Sequence, residues 1–201
     1  AVSAVGKKQV TVTTGVCLSR EMESPLAIHL GIAVSRGERM DWVVQKATEL
    51  GVAEITPLFS QRTEVKLRGD RAARKLLHWQ QVAASACEQC GRNRLPVLNA
   101  TRAISDWLQT TEAEHKFVLH HRGDRLASGG STPHSLALLV GPEGGLTPEE
   151  IRAAEDSGYW ALRLGPRVLR TETAPLAAIA ILQARWGDMG TVAANGTGVV
   201  K

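Results

Sequence analysis

Residues 138–151 have the sequence LLVGPEGGLTPEEI, in which an apolar run leads through a turn rich in glycine and proline into a helix start. Residues 162–182, LRLGPRVLRTETAPLAAIAIL, repeat this arrangement shortly afterwards. In open α/β sheets, ligands bind at strand-to-helix turns of this kind. Two such turns in succession therefore predict one small-molecule pocket.

Local chemistry predicts the elements around the first turn. Ser135 to Val140 is an almost continuous apolar run, typical of a strand buried on both faces. Thr147 and Glu150 match the T-x-x-E capping box, and Pro148 stands at the first helical position, where its missing N–H costs nothing. The sequence thus predicts a strand, a turn and a helix that is closed by Gly158.

Strand-like and helix-like segments alternate through the rest of the chain, which predicts a mostly parallel α/β sheet. Strands are predicted at residues 25–34, 52–59, 96–100, 116–120 and 160–165. Helices are predicted at residues 38–50, 70–89, 104–108 and 174–186, with Asp70 and Thr173 as candidate caps. The last helix is apolar nearly all round, so we expect it to be buried. Residues 122–135 are predicted to form a loop.

The two ends of the chain do not continue this alternation. Residues 8–14, KQVTVTT, alternate like a strand, but no partner strand is predicted nearby. They are interpreted as the remnant of an N-terminal unit. The segment after Gly187 ends in NGTGVVK and has no packing pattern, so we expect a flexible tail.

Composition narrows the class of protein. No apolar run approaches the roughly 20 residues that span a bilayer, and the start, AVSAVGKKQV, lacks the apolar core of a signal peptide. The three cysteines are an odd number in a chain too long to need disulfides, which fits a reducing compartment. These features predict a cytoplasmic protein that does not enter a membrane.

The net charge of +4 is unevenly distributed. Between Arg62 and Arg94 eight basic residues face three acidic ones, a surplus of +5 that exceeds that of the whole chain. Clustered basic residues are typical of proteins that bind a phosphate backbone. The alternative is that they form a solvated helix face, which charge alone slightly favours.

The first turn, GPEGG, matches neither the P-loop nor the dinucleotide-binding pattern. Glu143 lies inside it, and a carboxylate there would repel a pyrophosphate. This favours a ligand that is neutral or cationic near the turn. The alternative is that the glycines only allow a tight turn and that Glu143 stabilises a helix start.

The second turn brings Arg167, Arg170 and Glu172 between an apolar strand and an apolar helix. Arg170 and Glu172 could simply form an ion pair. Three charges beside one glycine turn and opposite another nevertheless favour a binding or catalytic site.

Four motifs carry a resemblance to a known family. GPEGGLTPEE, LGPRVLRTETA, EQCGRNRLP at residues 88–96 and QKATELGV at residues 45–52 resemble the bacterial 16S ribosomal RNA uridine-N3 methyltransferases of the SPOUT superfamily. The resemblance covers residues 24–190. It implies S-adenosylmethionine as methyl donor, a C-terminal trefoil knot, an obligate homodimer, and 16S ribosomal RNA or the 30S subunit as partner.

The family also has an N-terminal PUA-like β-barrel that helps to bind RNA. The resemblance leads us to expect only a remnant of that barrel at the start of this sequence. The resemblance therefore divides the chain into a barrel remnant at residues 1–23, a SPOUT methyltransferase domain at residues 24–190 and a flexible tail at residues 191–201.

The resemblance also assigns site residues. The methyl donor is expected to contact Leu119, His120, Gly141, Pro142, Glu143, Gly144, Leu162, Leu164, Gly165, Val168, Leu169 and Thr171. Glu143 or Glu172 is the candidate base for the uridine N3 proton, and Arg92 is the candidate electrostatic partner, reaching the site of the other subunit. RNA is expected to contact Arg62, Lys66, Arg68, Arg92, Arg94, Arg167 and Arg170.

Other interpretations carry less weight. Cys87 and Cys90 have C-x-x-C spacing, but they lie within a helix pattern and lack a second Cys or His pair, so no metal site is predicted. Two alternative functions stay open. One is a SPOUT enzyme that methylates ribose 2′-oxygens of transfer or ribosomal RNA, and the other is a non-catalytic RNA-binding assembly factor.

Overall fold

The computed structural model describes residues 1–17, 21–65, 67, 69–124 and 131–190. Strands and helices alternate along this part of the chain, as the sequence predicts. The elements are β1 Val2–Val5, β2 Val10–Val12, β3 Ala27–Ala33, α1 Arg39–Glu49, β4 Glu54–Phe59, α2 Gly69–Cys90, β5 Val97–Leu98, β6 Arg102–Ala103, α3 Ile104–Thr110, β7 His115–Asp124, β8 Ser135–Val140, α4 Pro148–Asp156, β9 Trp160–Leu162 and α5 Thr173–Trp186.

Seven of the described strands form one sheet in the order β5-β4-β3-β8-β7-β9, with β6 also paired to β4. Every pairing in this sheet is parallel. In the centre, Leu30 of β3 lies beside Ile55 of β4 on one side and Leu138 of β8 on the other. The predicted mostly parallel α/β sheet is thus confirmed.

Two apolar clusters cover the two faces of the sheet. Alternate residues of β8 belong to different clusters, because successive side chains of a strand point to opposite faces. Leu136, Leu138 and Val140 pack with α1 and α5 on one face, whereas Ala137 and Leu139 pack with α3 and α4 on the other. This explains why the segment is apolar at successive positions.

The capping box at α4 forms as predicted. Oγ1 of Thr147 accepts from the backbone N–H of Glu150 at 3.2 Å, and Oε2 of Glu150 accepts from the N–H of Thr147 at 2.8 Å. The other carboxylate oxygen of Glu150 accepts from the backbone N–H of Gln61 at 2.8 Å. One buried side chain therefore caps α4 and also ties it to the loop after β4.

Several predicted boundaries are wrong. α5 begins at Thr173 with Glu172 as its N-cap residue, so Thr173 is not the cap, and α2 begins at Gly69, one residue before the predicted cap. β7 runs on to Asp124 because that residue pairs with Leu162 of β9. The expectation that α5 is fully buried holds for one face only, since Ile181 is 47% exposed.

The N-terminal segment forms a separate hairpin. β2 pairs antiparallel with β1, which the sequence reasoning missed, so the prediction that residues 8–14 lack a partner is wrong. Every residue from Ala1 to Cys17 is exposed. The predicted flexible tail lies outside the described residues. No helix in the described ranges is long and apolar enough to cross a membrane.

One close approach in the centre of the sheet yields a test of stability. A Cβ atom at Gly31 would lie 2.6–2.8 Å from three ring atoms of Trp107. That ring is fully buried, and its Nε1 donates to Nε2 of His29 at 3.2 Å. We predict that Gly31→Ala lowers the free energy of unfolding by about 1–3 kcal/mol, measured by urea denaturation.

The matched control is Gly15→Ala, because a Cβ at that exposed position meets nothing within 4 Å. Its unfolding free energy should stay within about 0.5 kcal/mol of the wild type. Equal stability of the two variants would show that the contact between β3 and Trp107 is not tight.

Candidate functional site

A cavity of about 350 Å³ opens at the edge of the sheet where the parallel strands β7, β8 and β9 have their carboxyl ends. Its walls are the turn after β8, at residues 141–146, and the segment after β9, at residues 162–171. The two glycine turns of the sequence therefore face one another across a single space. Ligands of open α/β sheets bind at this edge.

The structure brings together all of the residues expected around the methyl donor. Each of them lines the cavity: Leu119, His120, Gly141, Pro142, Glu143, Gly144, Leu162, Leu164, Gly165, Val168, Leu169 and Thr171. The walls also include Val140 and Leu146, which extend the apolar part of the lining. This combination of apolar side chains with a few polar groups is typical of small-molecule sites.

Glycine is required at the turns themselves. A Cβ at Gly141 would lie 2.9 Å from the side chain of Leu146 and 3.0 Å from its backbone nitrogen, so the turn closes too tightly for a side chain. Gly145 and Gly165 have φ angles of 69° and 103°, which L-residues rarely adopt. Because glycine has no side chain, the backbone groups of these turns stay uncovered next to the cavity.

A guanidinium from a third strand-to-helix junction joins the site. Nη1 of Arg39, the first residue of α1, donates to Oε1 of Glu143 at 2.8 Å. Nε of the same side chain lies 3.9 Å from Oε2 of Glu172. Sequence reasoning did not single out Arg39, although it follows a core strand just as the two glycine turns do. It connects the two carboxylates that were predicted as candidate bases.

Glu143 is held in its charged form. Partial burial would raise the pKa of its carboxyl group, but the backbone N–H groups of Glu143 and Arg36 and the Arg39 guanidinium, which donates to Oε1, lower it. Together these donors hold the pKa of Glu143 below its usual range. The cavity therefore has a negative charge on its wall at neutral pH, and this carboxylate is a weak proton acceptor.

Two histidines of β7, His120 and His121, also line the cavity. The ring centroids of His120 and His121 lie 4.7 Å apart. Burial lowers the pKa of His120, and the charges of His121 and Arg122 lower it further. A neutral imidazole at His120 adds a hydrogen-bonding group to the site without adding a positive charge.

The predicted RNA-binding residues are dispersed. Arg62 and Arg167 line the cavity, and Nη1 of Arg62 donates to the carbonyl of Gly144 at 2.7 Å. Arg170 is exposed just before α5, and Arg94 is exposed in an ion pair with Glu21. Lys66 and Arg68 lie outside the described residues.

Arg92 does not line the cavity. Its side chain is only 6% exposed and pairs with Glu23. Nη1 donates to the carbonyl oxygen of Thr48 at 2.8 Å, in the last turn of α1, and to that of Val52 at 3.0 Å, in the segment between α1 and β4. The structure thus places Arg92 as an anchor of α1, because carbonyl groups at a helix end need donors. Within one subunit its predicted catalytic role has no support.

The cysteine pair lies in the last turn of α2. Burial raises the pKa of the Cys87 thiol, and its Sγ donates to the carbonyl of Arg94. Among the described residues, no group of three or more His, Cys, Asp or Glu side chains is arranged to hold a metal ion.

Known proteins are similar in sequence to this chain over most of its length. A family model described as an RNA methyltransferase domain matches residues 22–183. The ribosomal RNA small subunit methyltransferase E of Buchnera aphidicola is 34% identical over 92% of this chain and 74% of its own length. The protein of that name from Bacillus subtilis is 31% identical over 89% of this chain and 74% of its own length.

Solved structures share the fold. A methyltransferase structure from Legionella pneumophila, with bound S-adenosylmethionine, has a TM-score of 0.90 and 44% identity over 93% of this chain and 78% of that one. A ribosomal RNA small subunit methyltransferase E from Neisseria gonorrhoeae, also bound to S-adenosylmethionine, has a TM-score of 0.80 and 42% identity over 86% of this chain and 72% of that one. Since the family model and these relatives match most of the chain, the protein belongs to the RNA methyltransferase family that includes the ribosomal RNA small subunit methyltransferases E.

Proposed function

We propose that this protein transfers the methyl group of S-adenosylmethionine to N3 of a uridine in 16S ribosomal RNA. The observation that carries the proposal is the cavity between the two glycine turns, where all of the predicted donor-binding positions meet beside an ionised Glu143. The names of the relatives support small-subunit ribosomal RNA as the substrate. The Legionella and Neisseria structures support S-adenosylmethionine as the methyl donor.

The residues of the cavity fit this donor. Its volume of about 350 Å³ lies in the range of small-molecule sites. Apolar side chains such as Leu119, Leu164 and Leu169 can enclose an adenine ring, while backbone groups at the glycine turns can bond its polar edge. S-adenosylmethionine contains no phosphate and supplies a methyl group on a positively charged sulfur. The Glu143 carboxylate is compatible with that charge.

In this proposal, most of the rate acceleration comes from positioning the donor and the uridine. The uridine N3 lone pair must point at the methyl group, and holding two reactants in that geometry replaces a bimolecular encounter. The walls of the cavity orient the methyl donor. The RNA side must be held by residues at the same edge of the sheet, where the loops after β3, β4 and β8 meet.

The N3–H proton of uridine must leave for the lone pair to react. Glu172 is the better of the two candidate bases, because the Glu143 carboxylate already accepts from Arg39 and the pKa of Glu143 is lowered. Glu172 does not line the donor cavity itself, but its Oε2 lies 3.9 Å from Nε of Arg39. We assign to Arg39, rather than Arg92, the stabilisation of negative charge that develops on the uracil oxygens.

Three further features belong to the proposal. We propose that residues 24–190 form a SPOUT domain with a trefoil knot, which is supported by the path from the edge strand β9 back to α5, packed against α1. We propose that residues 1–23, in which β1 and β2 form an exposed hairpin, belong to a PUA-like barrel. We also propose a homodimer that acts on 16S ribosomal RNA, either free or in the 30S subunit.

The function is tested by donor binding followed by product analysis. We expect S-adenosylmethionine at 100 times its Kd to stabilise the protein by about 2.7 kcal/mol, seen as a rise in Tm. Incubation with 16S ribosomal RNA from a strain lacking the enzyme should yield N3-methyluridine by mass spectrometry. A methylated ribose would favour the 2′-O-methyltransferase alternative, and no stabilisation by the donor would favour a non-catalytic assembly factor.

The roles of the two carboxylates are tested separately. Glu172→Gln should lower kcat by about 10²- to 10⁴-fold and leave donor affinity unchanged, because it removes a proton acceptor. Glu143→Gln should weaken donor binding, because it removes the negative charge on the cavity wall. Glu149→Gln, on the exposed surface of α4, is the control and should leave both quantities unchanged. Full activity of Glu172→Gln would remove it as the base.

The homodimer is tested by light scattering coupled to gel filtration. Large apolar side chains remain exposed on the described surface, among them Val168 at 87%, Trp160 at 66%, Trp42 at 51% and Ile181 at 47%. A subunit interface would remove some of this apolar surface from water. We expect a mass twice that of one chain at micromolar concentration. The mass of a single chain would contradict the proposal.

A further inference from the structure

A second cavity, of about 480 Å³, adjoins the first at the same edge of the sheet. It lies between the loops that follow β3 and β4 and shares Arg62, Glu143 and Gly144 with the donor cavity. Two further arginines, Arg36 and Arg39, line it. We call this space the arginine groove.

Each guanidinium of the arginine groove already has a partner. Nη2 of Arg36 lies 2.5 Å from Oε2 of Glu64, Arg39 donates to Glu143, and Arg62 donates to the carbonyl of Gly144. Three arginines against two carboxylates leave a surplus of one positive charge, and the ion pair with Arg39 offsets the charge of Glu143. Because a guanidinium carries five N–H donors, each arginine retains donors for another ligand.

The pair formed by Arg36 and Glu64 is suited to exchange. The two side chains are 66% and 63% exposed, and ion pairs this exposed contribute little to stability. A phosphate can therefore replace Glu64 at small cost. Phosphate oxygens match the planar fork of a guanidinium and can accept two parallel hydrogen bonds from it.

We infer, on the basis of the proposed function, that the arginine groove binds a backbone phosphate of the substrate RNA next to the target nucleotide. Arg36 then exchanges Glu64 for the phosphate. Because Arg62, Glu143 and Gly144 line both spaces, the groove and the donor cavity are neighbours. A base attached to this phosphate can therefore reach the donor. Glu64 competes with RNA for Arg36 and is released when RNA binds.

The experiment measures equilibrium binding of a 16S ribosomal RNA transcript, without donor, over a series of salt concentrations. Arg36→Gln should weaken binding about tenfold and reduce the slope of log affinity against log salt by roughly 0.7–1, as expected for one lost phosphate contact. Glu64→Gln should instead tighten binding several-fold, because it frees Arg36. If the pair were only structural, Arg36→Gln would leave the slope of log affinity against log salt as it is in the control variant.

The matched control is Arg152→Gln. Arg152 and its partner Glu149 are 64% and 63% exposed, almost the same as Arg36 and Glu64, but they lie on α4, and neither of them lines the arginine groove. This variant should bind the transcript as the wild type does. Donor affinity, measured by calorimetry, should be unchanged in all three variants, which shows that they are folded.

The possible outcomes separate the two proposals. If the wild type methylates RNA but Arg36→Gln and Glu64→Gln bind the transcript as Arg152→Gln does, the groove assignment is overturned and the proposed function stands. If the wild type does not methylate RNA but the two variants shift binding in opposite directions, the groove assignment stands and the proposed function is overturned.

Discussion

The parallel pairing of β8 between β3 and β7 is the constraint on which the rest of the structure depends. Because these strands run in one direction, the turns that follow β3, β4 and β8 all emerge at the same edge. Helices cover both faces, so β8 must be apolar at successive positions. The interior around the sheet is thus mainly apolar, although Thr56 of β4 is fully buried, and loops at one edge of the sheet can carry polar chemistry.

Electrostatics at that edge is organised around Arg39. Its guanidinium contacts Glu143 on the wall of the donor cavity and approaches Glu172 before α5. The donors around Glu143 lower its pKa, which makes it better suited to hold a charge than to accept a proton. The same guanidinium lines the arginine groove, so one side chain is shared by the region of the donor and the region proposed for RNA.

Sequence reasoning succeeded where the signal was local. Thr147, Pro148 and Glu150 predict the start of α4 because a capping box uses residues within one helical turn. It failed where partners are distant. Arg39 and Glu143 are 104 residues apart, and no local pattern predicts their contact. Arg92, chosen for its position in a basic motif, instead bonds carbonyl groups at and just after the end of α1.

The amino-acid sequence by itself determined the alternation of strands and helices and the two glycine turns, because periodicity, capping and left-handed backbone conformations act over a few residues. It also carried the motifs of the RNA methyltransferase family. Only the tertiary structure decided which charges meet at the sheet edge. The order of the strands sets those contacts, and that order depends on packing between segments far apart in the chain.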